Sequence, residues 1–555
     1  MSVTTPVKPR VMVPNEASQA MKHLINSDLS ENLGQVELRP WLLCLSVLPF
    51  LAIPIAHLLS NIQTATGFFH YELPYYVANG RAALERGNGL FYPNPFDPAA
   101  DAPAIYAHWL PEVMGIATSV FGADPGNFIL CLTFAAALLF AAATHRLVTA
   151  CLPCASRNSS IPFLAVMWGG GVLAISSAVS GLLAGDSSPD LLRLDPGNGM
   201  WFLNWGRNAL FPTEAIYHAL VACCWLAEIR RRQMTANIFL LLLVTTHPWS
   251  GLELLLTINL WRGVRMLLMR QRSEVVQLGI SAAVLLAFLA YYKLWLPSFE
   301  QHAALQSVWE LDWSLKWSSA IPAWGVAAAV AVYRLWKEPA VLQTTTVQFL
   351  LCALTVAAGL SLHDRLIRPV QPLHFTRGYV WMPLILLGAP AFVPVVLGMW
   401  QRSVLSRVAV CCLGLLFVTD NLVFGAIQSW RQYHQEEGFH LSVHDRALLA
   451  ELHEKHLQSV VLTESTTLNY LLPAYADHRP WLGHQFNTPE YPERVEVMQH
   501  CFAGPAIQPD AIPPDINLLV VRLSRDCQPL VTTGAWLACG TKNAEWSIWL
   551  KSQAE

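Results

Sequence analysis

Runs of apolar residues long enough to cross a bilayer recur through most of the chain, and they limit the possible folds more than any other feature. A membrane-spanning helix needs roughly 20 consecutive apolar residues. Of the 555 residues, 54% are hydrophobic and only 13% are charged, against about 25% charged in soluble domains. The pattern therefore predicts a polytopic membrane protein. The runs lie at 41–59, 127–146, 161–183, 213–229, 236–261, 277–296, 320–336, 345–362, 378–399 and 405–427.

The basic residues between these runs give the chain an orientation. Cytoplasmic loops of membrane proteins are enriched in lysine and arginine, so the basic segments are expected inside and the remaining loops outside. The basic segments are 230–232, 262–272, Arg334 with Lys337, and Arg402 with Arg407. The loops expected outside are 60–110, 184–212, 297–319 and 363–377.

The number of crossings depends on how the run at 236–261 is read. Eleven crossings result if 246–249 is the outer tip of a broken hairpin within this run. Alternatively, 236–261 is one kinked helix, and 105–121 supplies the additional crossing. Both counts are odd, so both put the C-terminal end on the outer side.

The two ends of the chain differ from its apolar middle. Residues 1–40 form a mixed polar tail with four basic residues, expected in the cytoplasm. From 438 to 555 charged residues reach ordinary density, which indicates a small extracytoplasmic α/β domain. We therefore expect a mainly α fold, a transmembrane helical bundle at 41–437 followed by that domain. Within it we predict a helix at 447–456 and strands at 459–462, 516–523 and 544–550.

Net charge and cysteine usage exclude some classes of function. A net charge of −3 argues against a nucleic-acid partner. Cys151 and Cys154 have the spacing of a redox motif but no surrounding βαβ pattern, so we interpret them as structural. Cys501, Cys527 and Cys539 lie in the outer domain, where one disulfide is possible.

The first outer loop contains the most distinctive polar segment, HYELPYYVANGRAALERGNGLFYPNPFD from His70 to Asp97. Pro74 suits the first turn of a helix, and Gly87 suits its end. A carboxylate at a helix N-terminus is held ionised by the helix dipole, so Glu72 is a candidate base. We expect this helix to lie on the membrane surface with its tyrosines at headgroup depth. The alternative is that Glu72 is an ordinary capping glutamate on this interfacial helix.

Residues 246–251, reading THPWSG, interrupt an apolar stretch. Irregular backbone at membrane depth is tolerated only where it is buried in protein or lines a cavity. Ser250 would lie near the N-terminus of the following half-helix, a suitable place for a phosphate, with His247 beside it. The alternative is a simple proline kink at Pro248.

Three arginines and two histidines lie between 363 and 379, in a segment expected outside. Positive charge there opposes the usual bias, and binding a phosphate or pyrophosphate would explain it. Arg365, Arg368 and Arg377 are the candidate phosphate ligands, with His374 assisting. The alternative is ordinary basic residues reaching from helix ends towards the polar interface.

Other polar residues are candidates for the same cavity. The 184–212 loop carries three aspartates and Arg207, and a carboxylate there could assist Glu72 or bind a metal, although the spacing matches no standard metal loop. Glu112 is a candidate if it lies within the bilayer, where carboxylates are expensive. The remaining candidates are His70, Tyr76, Arg81 and His484.

Four segments carry a resemblance to a known family. They are NGRAALERGNGLFYPNPF with AIYAHWLPEVMGIATSVFG, THPWSGLELLL, RPVQPLHFTRGYVWMPLILLGAP, and LLPAYADHRPWLGHQFNTPEYPERVEVMQHCFAG. In this order they resemble the GT-C superfamily of polytopic glycosyltransferases, in particular bacterial members of uncertain substrate. The resemblance covers most of the chain from about 41 to 505, and the order of the segments carries it more than any single motif.

The resemblance implies an inverting transfer of a sugar from a polyprenyl-phosphate-linked donor at the outer face of a bacterial inner membrane. The acceptor would be a glycan, a lipid or a protein. In the family, an acidic residue of the first outer loop takes the acceptor's proton, a role that falls on Glu72. The cationic segment would hold the departing phosphate, and the outer domain with His484 would cover the cavity. The resemblance implies no required cofactor, and it leaves open whether the reaction uses a divalent metal.

Two other functions fit the same features. A transporter or flippase of lipid-linked sugars would use the broken helix and the cationic segment but would not need Glu72. Such proteins often contain internal repeats, and the sequence shows none. The third hypothesis is a non-catalytic scaffold of envelope assembly with the same fold.

Overall fold

The computed structural model describes residues 38–152, 159–197, 199–308, 313–455, 458–539 and 543–552. Within these ranges the chain is mainly helical, with one small sheet near the C-terminal end. Cys154 and most of the tail predicted at 1–40 lie outside the described residues.

The elements follow one another in this order. The helices are α1 (Pro40–Ser60), α2 (Glu72–Glu85), α3 (Trp109–Gly115), α4 (Pro125–Cys151), α5 (Ser160–Trp168), α6 (Leu173–Leu183), α7 (Pro212–Ile229), α8 (Gln233–Val244), α9 (Pro248–Met269), α10 (Arg272–Ala290), α11 (Glu300–Val308), α12 (Trp317–Lys337), α13 (Thr345–Ser361), α14 (Trp381–Arg402), α15 (Val404–Tyr433), α16 (Val443–Lys455), α17 (Thr466–Tyr475), α18 (Tyr491–Cys501) and α19 (Gln528–Thr532). The strands are β1 (Val460–Thr463), β2 (Arg479–Pro480), β3 (Leu518–Arg522), β4 (Trp536–Cys539) and β5 (Trp546–Lys551).

Several of these helices are long and apolar enough to cross a membrane. Among the described residues there are five, namely α1, α4, α14, α15 and α10 with its continuation to Ser298, or six if the pair α5 and α6, bent by 45°, is one span. The predicted mainly helical fold is confirmed, and these helices have the length and apolar composition expected of a membrane protein. Every other predicted apolar run is also helical, in α7, α8, α9, α12 and α13, but the count of eleven crossings is not reached by length and composition alone.

The two readings of the run at 236–261 differ in what they require of 105–121. The structure breaks the run between α8 and α9. Helix α3 has only seven residues, and the π turn that follows it adds five. Since a crossing needs roughly 20 residues, this stretch does not form a span of its own by length, and neither does α8 with its 12 residues.

The basic segment 262–272, expected on the cytoplasmic side, is largely helical. Helix α9 continues to Met269, and Arg262 and Arg265 are buried. Arg262 donates from Nε to Glu228, 3.0 Å away, and Arg265 forms an ion pair with Glu274. Carboxylates on neighbouring helices thus neutralise part of the positive charge of this segment.

The C-terminal part forms the predicted α/β unit. Its sheet has the order β2-β1-β3-β5-β4, with β1, β2 and β3 parallel and β5 antiparallel to both neighbours. The three predicted strands and the first helix are confirmed, while the short strands β2 and β4 were not predicted. The predicted possible disulfide is not formed, because Cys501, Cys527 and Cys539 are all free thiols.

Helix α2 is enclosed on most sides, where the sequence indicated a helix lying open on the membrane surface. Its Gly80 approaches α3 so closely that a Cβ there would stand 1.9 Å from the carbonyl oxygen of Pro111. On another side α17 of the C-terminal unit covers it, and the Tyr470 hydroxyl donates to the carbonyl of Tyr71. Helix α2 is enclosed because the C-terminal unit buries the aromatic face of the helix that a lipid surface would otherwise cover. Tyr75 therefore packs on Phe96, with ring centroids 6.2 Å apart.

Candidate active site

Glu72 is the first residue of α2, as the sequence predicted, and Tyr71 is its N-cap. The preceding His70 fixes this end of the helix, because its Nδ1 accepts a hydrogen bond from the Glu72 amide at 3.2 Å. Tyr71, Glu72, Tyr75 and Tyr76 stay partly accessible, whereas Leu73, Pro74 and the following turn are buried. The Glu72 side chain is thus half-buried and not sealed from solvent.

The surroundings of Glu72 change its acidity. Burial raises the pKa of its carboxyl above the ordinary value of 4.5. A hydrogen bond from Tyr71 and the positive charges of two nearby arginines oppose this rise without cancelling it. A carboxylate with a raised pKa is a stronger base than an exposed glutamate, which suits proton abstraction.

The two arginines near Glu72 are held by one buried carboxylate. Glu214, in the first turn of α7, accepts hydrogen bonds from Arg207 Nε at 2.8 and 2.9 Å and from Arg377 Nη1 at 2.7 Å. All three side chains are buried. Two guanidiniums against one carboxylate leave one net positive charge, and the field of that charge reaches Glu72.

The segment before α7 positions Arg207 beside Glu214. Its backbone turns around the buried Asp195, which accepts hydrogen bonds from the amides of Gly199 at 2.7 Å and Trp201 at 3.1 Å. The Arg207 guanidinium then lies between two aromatic rings, 4.2 Å from the centroid of Phe202 and 3.9 Å from that of Phe211. Both rings exclude water from the ion pair, which strengthens it.

A tight turn at Gly378 positions Arg377 beside Glu214. Gly378 has φ +80°, and a Cβ there would stand 1.6 Å from the indole of Trp205, so a larger residue does not fit. Thr376 donates from Oγ1 to the carbonyl of Phe202 at 3.0 Å, which joins this turn to the segment that carries Arg207. The two segments that carry Arg207 and Arg377 are therefore joined by a direct hydrogen bond.

The break between α8 and α9 brings His247 and Ser250 to the same cluster. His247 is the N-cap of α9 and lies 3.0 Å from Ser250 Oγ through Nδ1. Its Nε2 is 3.2 Å from Arg377 Nη1, and its ring stacks on Tyr217 with centroids 4.4 Å apart. The Tyr379 hydroxyl donates to Ser250 Oγ at 2.6 Å and closes the network. These contacts fix the direction in which Arg377 points.

His374 forms the partly accessible edge of the cluster. It contacts Arg377 Nη2 through Nδ1. Its ring is stacked against Trp249 at 4.9 Å and 9°, and Trp313 lies 5.3 Å away on a tilted plane. Burial and the Arg377 charge lower the pKa of His374 well below 6.5, so the ring is neutral near pH 7. An aromatic surface with a hydrogen-bonding edge therefore adjoins the cations.

His484 of the C-terminal unit covers α2 from outside. Its ring lies among aromatic side chains, with centroid distances of 5.2 Å to Tyr75, 5.4 Å to Tyr470 and 5.8 Å to Tyr71. Burial lowers its pKa to about 3, so it is neutral at ordinary pH. Its Nε2 is buried without a hydrogen-bond partner. His484 contacts the residue beside Glu72 rather than the cations.

Four predicted candidates lie apart from the cluster. Arg365 and Arg368 are exposed, and Arg365 interacts with its neighbour Asp364 at 3.8 Å and with the carbonyl of Leu315. Arg81 is buried in an ion pair with Glu85 at 2.7 Å, one turn further along α2. Glu112 is half-buried, and its Oε1 has no hydrogen-bond partner.

The residue that the sequence analysis missed is Glu214. It lies at the start of an apolar run that was predicted as a span, and nothing local distinguishes it from a glutamate at a helix end. The aspartates of the 184–212 loop, considered instead, have other roles. Asp195 organises its own loop, and Asp186 pairs with Arg193 at the surface. Among the described residues, no three histidine, cysteine or acidic side chains are grouped as a metal site.

Comparison with known proteins adds nothing to this geometry, because no family model and no curated protein matches the chain.

Proposed function

We propose that the protein is a glycosyltransferase that moves a sugar from a polyprenyl-phosphate-linked donor to an acceptor, with inversion at the anomeric carbon. One observation carries the proposal: a partly accessible carboxylate with a raised pKa, Glu72, faces the buried pair Arg207 and Arg377. A base beside fixed cations is what displacement of a phosphate by a hydroxyl requires.

The charge balance supports binding of an anion beside Glu72. Glu214 neutralises one of the two guanidiniums, and the remaining positive charge is partly desolvated, so a phosphate gains more from it than it would in water. Arg377 is held by Glu214 and His247 on its Nη1 side, which limits the reorganisation needed when charge develops on the leaving group. Arg365 and Arg368 are exposed, so the phosphate role rests on Arg377 and Arg207.

The reaction is a single displacement. Glu72 accepts the proton of an acceptor hydroxyl as its oxygen attacks the anomeric carbon. The bond from that carbon to the phosphate oxygen breaks, and the lipid phosphate leaves with the bonding electrons. Arg377 and Arg207 stabilise the charge on the departing phosphate, and the rings of Trp249 and His374 offer an apolar surface for the sugar or the first isoprene unit.

The membrane arrangement of the proposal follows the charge pattern of the sequence. With eleven crossings, Glu72 and the C-terminal unit lie on the outer side of a bacterial inner membrane. The lipid tail of the donor reaches the site between spans, and the acceptor is a glycan, a lipid or a protein. Helices at every predicted run and the broken pair α8 and α9 support this arrangement.

A transfer assay in membranes tests the proposal. Membranes with wild-type protein or Arg377→Gln receive radiolabelled polyprenyl-phosphate sugars, and label in water-soluble and lipid products is measured, with Arg365→Gln as the matched surface control. We expect transfer by wild type and by the control, and loss of transfer in Arg377→Gln. Movement of intact donor across the bilayer without transfer would favour the flippase. If wild type neither transfers sugar nor moves any donor across the bilayer, the result would favour the non-catalytic scaffold.

A further inference from the structure

The sheet of the C-terminal unit has the strand order of a ligand-binding α/β sheet. The chain leaves β1 through α17 to β2 on one side, and then returns through α18 to β3 on the other side of β1. All three strands are parallel. In open parallel sheets, ligands bind beyond the carboxyl ends of the strands at the point where the connections diverge. In this sheet that point lies between β1 and β3.

A cavity of about 560 Å³ occupies this point. That volume is within the range of small-molecule sites, roughly 300–1,000 Å³. Its polar lining comes from the two residue groups that directly follow the strands. Glu464, Ser465 and Thr466 come from the end of β1, and Arg522, Ser524 and Arg525 from the end of β3.

The charged groups of the cavity are two arginines that are held in place by one glutamate. Arg522 and Arg525 both contact Glu464 through Nε, at 3.1 and 3.0 Å, one on each carboxylate oxygen. Glu464 is almost fully buried, while the Arg522 side chain is 60% exposed. The carboxylate thus holds two guanidiniums side by side and neutralises only one of them. The cavity keeps one net positive charge on a side chain that a ligand can reach.

We propose that this cavity binds a phosphate monoester, carried by a sugar or by a lipid headgroup. Arg522 supplies the accessible guanidinium, which matches phosphate geometry with paired hydrogen bonds. Arg525 is anchored by Glu464 and by the carbonyl of Gly504 and fixes the position of Glu464. Thr466 and Ser524 line the rest of the cavity and offer hydroxyl groups to the ligand. The cavity is separate from Glu72 and its arginines, and this binding does not depend on the proposed transfer.

Calorimetric titration of the full chain in detergent micelles tests the site. The probes are glucose 1-phosphate, glucose as the uncharged control, and short-chain phosphatidic acid as the lipid source. The variants are Arg522→Gln and the double variant Arg522→Gln with Arg525→Gln. Lys455→Gln is the matched control, because Lys455 pairs with Glu451 at the end of α16, before β1. Thermal stability of each variant shows that it is folded.

We expect saturable binding of a phosphate probe, no binding of glucose, and a dissociation constant raised about tenfold or more in Arg522→Gln, since a charged hydrogen bond contributes about 1.5–3 kcal/mol. Binding of the sugar phosphate alone or of the lipid alone identifies the source and supports the site. Absence of saturable binding by both probes, or equal binding by wild type and the Arg522→Gln variant, would overturn it. Because binding is measured without transfer, failure of this test leaves the proposed function untouched.

Discussion

Replacing Glu214 with glutamine is the sharpest test of the buried cluster. The carboxylate accepts hydrogen bonds from Arg207 and Arg377 at 2.7–2.9 Å, and all three side chains are buried. Glutamine keeps the shape but removes the charge, and its amide presents hydrogens to two guanidiniums that only donate. Two buried cations are then left without a counter-charge.

The size of the effect follows from burial. Removing one partner of a buried ion pair costs about 3–5 kcal/mol, and at about 2 °C per kcal/mol for a large chain the unfolding midpoint should fall by roughly 6–10 °C. Glu437→Gln is the matched control, because Glu437 pairs with Arg431 at 3.0 Å on the surface, where ion pairs contribute about 0–1 kcal/mol.

Fluorescence-detected size-exclusion chromatography after heating measures both variants in detergent. We expect a clear fall for Glu214→Gln and almost none for Glu437→Gln. Equal midpoints in the two variants would mean that Glu214 does not hold the arginines, and the proposed geometry of the site would be wrong.

Three further predictions concern the site and its support. Transfer should fall as the pH drops through the raised pKa of Glu72, because only the ionised carboxylate accepts a proton. A pH–rate profile whose acidic midpoint lies at or below the ordinary pKa of 4.5 would mean that burial does not raise the pKa of this carboxyl. Arg377→Gln should lower transfer about 10²- to 10³-fold. Arg365→Gln should change transfer by less than about twofold, because that side chain is 52% exposed. Similar losses in both variants would mean that the exposed arginines, and not the buried pair, bind the phosphate. Gly80→Ala should lower stability by about 1–3 kcal/mol through overpacking against α3, while Gly279→Ala, with nothing within 4 Å of its Cβ, should not; equal heat stability of the two would contradict the close approach.

The sequence predicted the helical membrane body and the outer sheet because both depend on local patterns. Apolar runs of spanning length became helices at every predicted position, and the alternation of apolar runs with turns located three strands. The short strands β2 and β4 were missed because β2 has only two residues and β4 has none of the β-branched residues that marked the equally short β1. The burial of Arg262 and Arg265 was not predicted, because charge alone does not reveal a carboxylate on a neighbouring helix.

The candidate site was predicted only in part, for a related reason. Glu72, His247 and Arg377 belong to segments whose local chemistry is unusual, so the sequence singled them out. Which of the arginines between 363 and 379 turns inward depends on the turn at Gly378 and on Trp205, and those contacts are tertiary. Glu214 was missed for the same reason, since its partner Arg377 comes from a distant segment, even though Arg207 is only seven residues away.

The role of Glu72 as the base is the central claim, and comparing donor binding with transfer in Glu72→Gln tests it most directly. Both quantities are measured on the same preparation, with a radiolabelled polyprenyl-phosphate sugar and the full chain in nanodiscs. We predict donor binding within about twofold of wild type and transfer lowered about 10²- to 10⁴-fold, the usual contribution of a general base. Transfer at the wild-type rate would contradict this role of Glu72, and so would a parallel loss of binding and transfer.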